Sequence, residues 1–186
     1  MYAGGIMRYD SIVRGFEGAS DDTDILMRKY LLPGDLFATR VPHEITTVLG
    51  SCVAVCLWDS VLRAGGMNHF MLPAYAGNGE PSNRYGDIAV RNLIMRMDSL
   101  GSRRGNLKAK VYGGGNVLCT PAGAGPDLVG LKNIAMAREV LSTEGVEIVS
   151  EQVGKMHGRK LRFNTHTGAL YVEFINSICD RKGAGK

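Results

Sequence analysis

Residues 46–72 read TTVLGSCVAVCLWDSVLRAGGMNHFML, and this stretch predicts the centre of the fold. Its segment 53–58 is a continuous apolar run, which is typical of a strand covered on both faces. A second strand-like run follows at residues 63–72, joined to the first through the short polar link at residues 59–60. Two such runs with a short link predict an antiparallel β-hairpin.

Outward from this hairpin, the sequence alternates between strand-like and helical patterns. Apolar residues at spacings of three and four predict a helix over residues 85–100, and a second helix follows a Gly/Pro/Ala loop at residues 120–126 and ends at Gly145. Further strands are predicted at residues 36–40, 45–49, 107–112, 146–153, 160–164 and 170–174. The short links favour a mixed, largely antiparallel sheet over a doubly wound one. The fold class is therefore α/β, with roughly seven or more strands and two main helices.

The domain organisation follows from where these patterns begin and end. Residues 1–32 are small, polar and partly acidic, and they predict a flexible N-terminal extension. Residues 33–178 contain every predicted core element and form one domain. Residues 179–186 end in a Lys/Gly/Ala segment, which predicts a disordered tail.

Composition excludes several functional classes. The chain has 186 residues and a net charge of +4, with no basic stripe that carries interleaved aromatic residues, so no nucleic acid is expected as a partner. No apolar run reaches the roughly 18 residues of a membrane span, so no membrane insertion is expected. The four cysteines at 52, 56, 119 and 179 show no disulfide framework, and the start of the chain lacks a signal-peptide pattern. Reduced thiols in the cytoplasm are predicted.

The turn before the first hairpin strand is the strongest candidate for chemistry. The break at Gly50 and Ser51 places Cys52 where backbone amides can converge, which lowers a thiol pKa and stabilises an oxyanion. The hairpin brings His69 to the same open end of the ladder, and Cys with His is the minimal thiolate-generating pair. Thr46, on the preceding strand, is placed to orient the imidazole through its hydroxyl or its carbonyl. Taken singly, each residue also fits a structural role, a buried thiol, a hydrogen-bonded histidine or an ordinary strand threonine.

A metal site is the chemical alternative. Its ligands would be Cys52, Cys56 and His69, with His43 or Cys119 as a fourth. No Cys-x-x-Cys or His-x-x-x-His spacing is present, which disfavours zinc. Cys56 lies in the middle of an apolar strand and is predicted to be core. The glycines at 113–115 lack the Lys-Ser/Thr of a P-loop and predict a tight turn. No cofactor and no metal are therefore predicted.

The blocks at residues 46–57 and 65–73 resemble CheD, the chemoreceptor glutamine deamidase family. The likeness spans about residues 33–175 and continues through residues 84–89, 113–116, 154–160 and 167–168. At residues 129–133 this chain has VGLKN where the family commonly has Ile-Gly-x-Arg-Asn. Lysine does not reproduce the two-pronged contacts of that arginine.

The resemblance implies a cysteine hydrolase that converts receptor glutamines to glutamates and releases ammonia. It implies that the catalytic Cys, His and Thr are Cys52, His69 and Thr46, and that the fold is a layered α/β sandwich similar to that of the deamidating toxins. The expected partners are chemoreceptor cytoplasmic domains as substrate and, in some members, the phosphatase CheC. Two alternatives stay open: a binding module that retains the cysteine as a relic, and a transglutaminase that shares the same thioester.

Overall fold

A computed structural model describes residues 26–77, 79–117 and 126–175 of the chain. The described residues form nine strands, two α-helices and a short 3-10 turn at Arg104–Asn106. The strands are β1 Met27–Tyr30, β2 Leu36–Thr39, β3 His43–Leu49, β4 Val53–Asp59, β5 Ala64–Asn68, β6 Leu107–Gly113, β7 Glu147–Val153, β8 Gly158–Asn164 and β9 Leu170–Ile175. The helices are α1 Gly86–Ser99 and α2 Pro126–Thr143.

The strands form two sheets. One has five strands in the order β2-β5-β4-β6-β7, and the other has four in the order β1-β3-β8-β9. Within each sheet all neighbours are antiparallel except one parallel pair, β6 with β7 and β1 with β3. The prediction of a layered α/β sandwich with mixed, largely antiparallel pairing is confirmed. The division of the strands between two sheets was not predicted.

Strand β4 lies in the centre of the molecule and explains its three layers. Its side chains alternate between two apolar clusters, so that Val53, Val55 and Leu57 face the helices while Ala54 and Cys56 face the four-stranded sheet. Every one of these five residues is at most 1% exposed. The continuous apolar run in the sequence therefore reflects burial on both faces of the strand. The molecule therefore has three layers: the helices, the five-stranded sheet that contains β4, and the four-stranded sheet.

The β4–β5 hairpin has the predicted pairing. The strands are antiparallel from Asp59↔Ala64 to Cys56↔Met67. A further bridge joins Val53 to Phe70 in the same register, with both backbone hydrogen bonds at 3.0 Å. The hairpin therefore extends to its open end, where Cys52 precedes β4 and His69 follows β5.

The folded part of the chain begins earlier than predicted. Met27–Tyr30, within the predicted flexible extension of residues 1–32, forms strand β1 and pairs in parallel with β3. Leu31 is 1% exposed and belongs to the core between the sheets. All four β1 side chains are exposed. Because neither face of the strand is buried, its sequence, MRKY, lacks the alternation of apolar and polar residues that would predict a strand. Residues 1–25 and the predicted tail at 179–186 lie outside the described residues.

The two predicted helices are confirmed, and each covers the five-stranded sheet through an apolar face. Helix α1 buries residues spaced three and four apart, and its final turn is followed by Gly101 at a φ of 98°. Among the helices of the described ranges, none has the length and apolar character that crossing a membrane requires.

Candidate active site

The candidate site lies at one end of the layer between the two sheets. Cys52 immediately precedes β4, and His69 immediately follows β5. Because Val53 pairs with Phe70, Cys52 and His69 lie on the same face of the ladder in a diagonal relation. Residues so related are about 7–8 Å apart, and their Cβ atoms are somewhat closer. Cys52 is half-buried and His69 is 2% exposed.

A hydroxyl from the opposite sheet contacts the imidazole. Thr47 Oγ1 lies 2.8 Å from His69 Nδ1 and also donates a 2.9 Å hydrogen bond to the carbonyl of Leu31. Thr47 is completely buried, as expected for a residue of β3 that faces the five-stranded sheet. Strands from both sheets therefore build the site.

The hydroxyl that contacts His69 is that of Thr47 and not of Thr46, and the catalytic role that the family resemblance implies for Thr46 stays a prediction. In β3 the buried positions are 43, 45, 47 and 49, and the intervening residues lie on the outer face of the four-stranded sheet. Thr46 therefore points away from His69, and its carbonyl accepts a hydrogen bond from the amide of Leu31. The period-two pattern of Ile45 and Leu49 carried the signal that Thr47, on the same face, is the inward threonine.

The Thr47 contact determines which ring nitrogen of His69 carries the proton. A hydroxyl has one hydrogen to donate, and that of Thr47 goes to the Leu31 carbonyl. Its oxygen can then only accept from Nδ1, so the ring carries its proton on Nδ1 and leaves Nε2 with a free lone pair. His69 Nε2 is buried and has no hydrogen-bond partner among the described residues. The imidazole is therefore in the tautomer that a general base needs.

Both candidate groups are neutral at neutral pH. Burial lowers the pKa of His69 to about 4, against the opposing effects of the Leu31 carbonyl and the Asp35 carboxylate. Burial likewise raises the pKa of the Cys52 thiol, and the backbone amide of the same residue counteracts part of that rise. At neutral pH the site therefore holds an uncharged thiol and an uncharged imidazole.

The carbonyl groups of the three consecutive residues 50–52 all accept hydrogen bonds. The carbonyl of Gly50 accepts a hydrogen bond from Gly115 N at 2.7 Å, and the carbonyl of Cys52 accepts one from Gly114 N, also at 2.7 Å. The carbonyl of Ser51 accepts a bond from the Asn133 side chain at 3.1 Å. In a trans peptide the N–H points opposite to the C=O. The amides of Ser51 and Cys52 therefore face away from these partners, as an oxyanion site requires.

The glycines that follow β6 are needed for this close approach. A Cβ on Gly113 would overlap the carbonyl oxygen of Cys52, and one on Gly114 would come 2.6 Å from Ile134 and 2.9 Å from the Gly130 carbonyl. The φ angles of Gly113 and Gly114 are 115° and 65°, in the region that favours glycine. The predicted tight turn is confirmed, and it forms the back wall of the Cys52 loop.

The second cysteine of the motif is core, as predicted. Cys56 is 1% exposed within the cluster between the sheets, and burial raises its pKa to about 12. Within residues 26–77, 79–117 and 126–175, no three His, Cys, Asp or Glu side chains are grouped to hold a metal ion. Cys119, the other ligand considered, lies outside the described residues.

We expect Thr47→Val to lower kcat for amide hydrolysis about tenfold, because the imidazole loses one of its two orienting acceptors and keeps the Leu31 carbonyl. Thr46→Val is the matched control, since it removes the same hydroxyl from the neighbouring position on the outer face. If the orienting hydroxyl is that of Thr47, the kcat of Thr46→Val stays within about twofold of that of the unchanged protein. Steady-state kinetics on one glutamine substrate compares the two, and a larger loss for Thr46→Val would contradict the assignment.

The sequence matches known proteins over this region. Residues 71–174 match the family model described as CheD chemotactic sensory transduction. A protein of Rhodospirillum rubrum is 47% identical over 150 residues, covering 81% of this chain and 84% of that protein. Proteins of Trichlorobacter lovleyi and Sulfurimonas denitrificans are 45% and 39% identical, covering 78% and 80% of this chain and 90% and 94% of those proteins. All three carry the name "Probable chemoreceptor glutamine deamidase CheD".

Proposed function

The chain belongs to the CheD family, and on that premise we propose that it is a protein-glutamine deamidase that acts on chemoreceptors. The substrates are glutamine side chains of receptor cytoplasmic domains, and the products are glutamate and ammonia. The observation that carries the proposal is the contact of Thr47 with His69, because it leaves a buried imidazole lone pair on the face that Cys52 shares. The relatives' names support the choice of substrate.

The reaction begins with nucleophilic attack. His69 Nε2 takes the thiol proton as the Cys52 sulfur attacks the carboxamide carbon and forms a tetrahedral intermediate. The amides of Ser51 and Cys52 stabilise the negative charge on its oxygen. His69 then gives its proton to the departing nitrogen, which leaves as ammonia, and a thioester remains on Cys52.

Water completes the reaction. His69 Nε2 takes a proton from water as the hydroxide attacks the thioester carbonyl, and the glutamate product and the free thiol are released. The buried, neutral resting pair of Cys52 and His69 is consistent with both half-reactions, since the imidazole is charged only while an intermediate is present. The proton transfers and covalent bonds of both half-reactions involve these two side chains and water, while the backbone amides of Ser51 and Cys52 stabilise the oxyanion.

Each turnover adds a negative charge to a receptor helix. In a packed helical bundle such a charge shifts a signalling equilibrium by on the order of 1 kcal/mol. We propose that the enzyme tunes chemotaxis signalling in this way and works in the cytoplasm, where its substrate domains would be located. A complex with the phosphatase CheC stays a prediction from the family resemblance.

The test is the identity of the product. The purified protein is incubated with a chemoreceptor cytoplasmic domain, with and without methylamine, and the receptor peptides are analysed by mass spectrometry. Hydrolysis raises the mass of selected glutamines by about 1 Da, because a hydroxyl group replaces the amide –NH2 group. This mass change is expected both with and without methylamine. Amine incorporation in place of hydrolysis would identify a transglutaminase. No mass change in any peptide would identify a binding module and contradict the proposal.

A further inference from the structure

Asn133 connects helix α2 to both halves of the candidate site. Its side chain is completely buried, and Nδ2 donates to the carbonyl of Ser51 at 3.1 Å and to that of Met71 at 2.8 Å. Both partners are acceptors, so the amide nitrogen and not the oxygen must face them. Ser51 immediately precedes Cys52, and Met71 follows His69 by two residues. One amide group thus holds the segments that carry the nucleophile and the base.

The bond to Ser51 acts on the peptide unit that precedes the nucleophile. The carbonyl of Ser51 and the amide of Cys52 belong to one planar group and point in opposite directions. A hydrogen bond to the carbonyl restrains the plane and polarises it, which makes the amide on the other side a better donor. That amide interacts favourably with the Cys52 thiolate.

The backbone of α2 is built to bring Asn133 this close. A Cβ on Gly130, one turn earlier, would lie 2.7 Å from the carbonyl oxygen of Gly114. Glycine at that position therefore lets the helix pack directly on the segment behind the Cys52 loop. Asn133 then reaches the Ser51 and Met71 carbonyls with a short side chain, and its Oδ1 has no partner among the described residues.

We propose that Asn133 is a positioning residue, which orients and polarises the Ser51–Cys52 peptide and fixes the distance between Cys52 and His69. Its catalytic consequence rests on the proposed function, whereas its effect on the reactivity of the thiol does not. The donors that matter are the two Nδ2 hydrogens.

Two substitutions and one control test this role. Asn133→Ala removes both donors and leaves a cavity, and Asn133→Leu removes them while filling the space. Val140→Ala, on the same helix and 1% exposed, reduces packing without touching the site. The rate of iodoacetamide labelling of Cys52 is measured against pH, together with kcat and KM for receptor glutamines and the thermal unfolding of each variant.

We expect kcat to fall about tenfold to a hundredfold in both Asn133 variants, with KM within about twofold. The pH midpoint of Cys52 labelling should rise by about half a unit or more, because the thiolate loses support from its amide. Val140→Ala should change neither quantity. Unchanged labelling midpoints in the Asn133 variants, or an equal loss of kcat in Val140→Ala, would overturn the proposal. Because labelling needs no substrate, it gives an answer even if the protein deamidates nothing.

Discussion

Replacing Cys52 with alanine is expected to lower the rate of receptor glutamine deamidation by at least about a thousandfold, because the thioester cannot form without the sulfur. The fold should persist, since Cys52 is half-buried at the edge of the cluster between the sheets and the change removes a single atom. Mass spectrometry of receptor peptides over time measures the rate, and thermal unfolding monitors the fold.

Cys56→Ala is the matched control for this change. It also removes one thiol, four residues further along the chain, but from a fully buried position within β4. We expect it to lose about 1 kcal/mol of stability and to retain deamidation within about threefold. Iodoacetamide should label Cys52 well before Cys56, whose thiol is buried and has a pKa raised to about 12. If Cys52→Ala retained more than about a tenth of the deamidation rate of the unchanged protein, or if Cys56 were labelled faster than Cys52, the assignment of Cys52 as nucleophile and Cys56 as core residue would be contradicted.

Gly113→Ala is expected to have the largest effect on stability, a loss of roughly 3 kcal/mol or more. Two costs combine there. The residue has a φ of 115°, and the added Cβ would overlap the carbonyl of Cys52 and come within 3.0 Å of the Cα of Val53. Relief of that overlap requires movement of the Cys52 loop, so deamidation should decline together with stability.

Gly145→Ala separates the two costs. Gly145 also has a positive φ, 68°, but a Cβ there would meet nothing within 4 Å. Gly145 follows α2, so the alanine variant should lose only the cost of a left-handed backbone, about 1 kcal/mol of unfolding free energy. We expect no effect on its deamidation activity. Urea unfolding of both variants gives the comparison. Equal losses of stability would show that the packing of Gly113 against Cys52 contributes nothing.

The parts of the fold that could be predicted are those with local patterns. The apolar run of β4, the link to β5 and the helical spacing in α1 each depend on residues close in sequence. Strand β1 could not be predicted, because its four side chains are exposed and its position depends on pairing with β3. The separation into two sheets likewise depends on long-range pairing, such as that of β3 with β8.

In the candidate site, too, the parts that are local in sequence could be predicted and the long-range contacts could not. Cys52 and His69 come together through a hairpin, which is local in sequence. Which threonine hydroxyl contacts the imidazole depends on which face of β3 is buried, and the six-residue spacing taken from the family resemblance pointed to Thr46, whereas the contact is made by Thr47. Asn133 contacts Ser51 across 82 positions of sequence, and no short motif indicates such a contact.

The proposed mechanism requires that the sulfur of Cys52 forms a thioester with a receptor glutamine. The most direct measurement is rapid acid quenching of the protein during turnover on a receptor domain, followed by proteolysis and mass spectrometry. We predict one cross-linked species, in which the peptide that contains Cys52 is joined to a receptor glutamine peptide with the loss of ammonia. A link at Cys56, or ongoing deamidation with no linked species and no dependence on Cys52, would contradict the account.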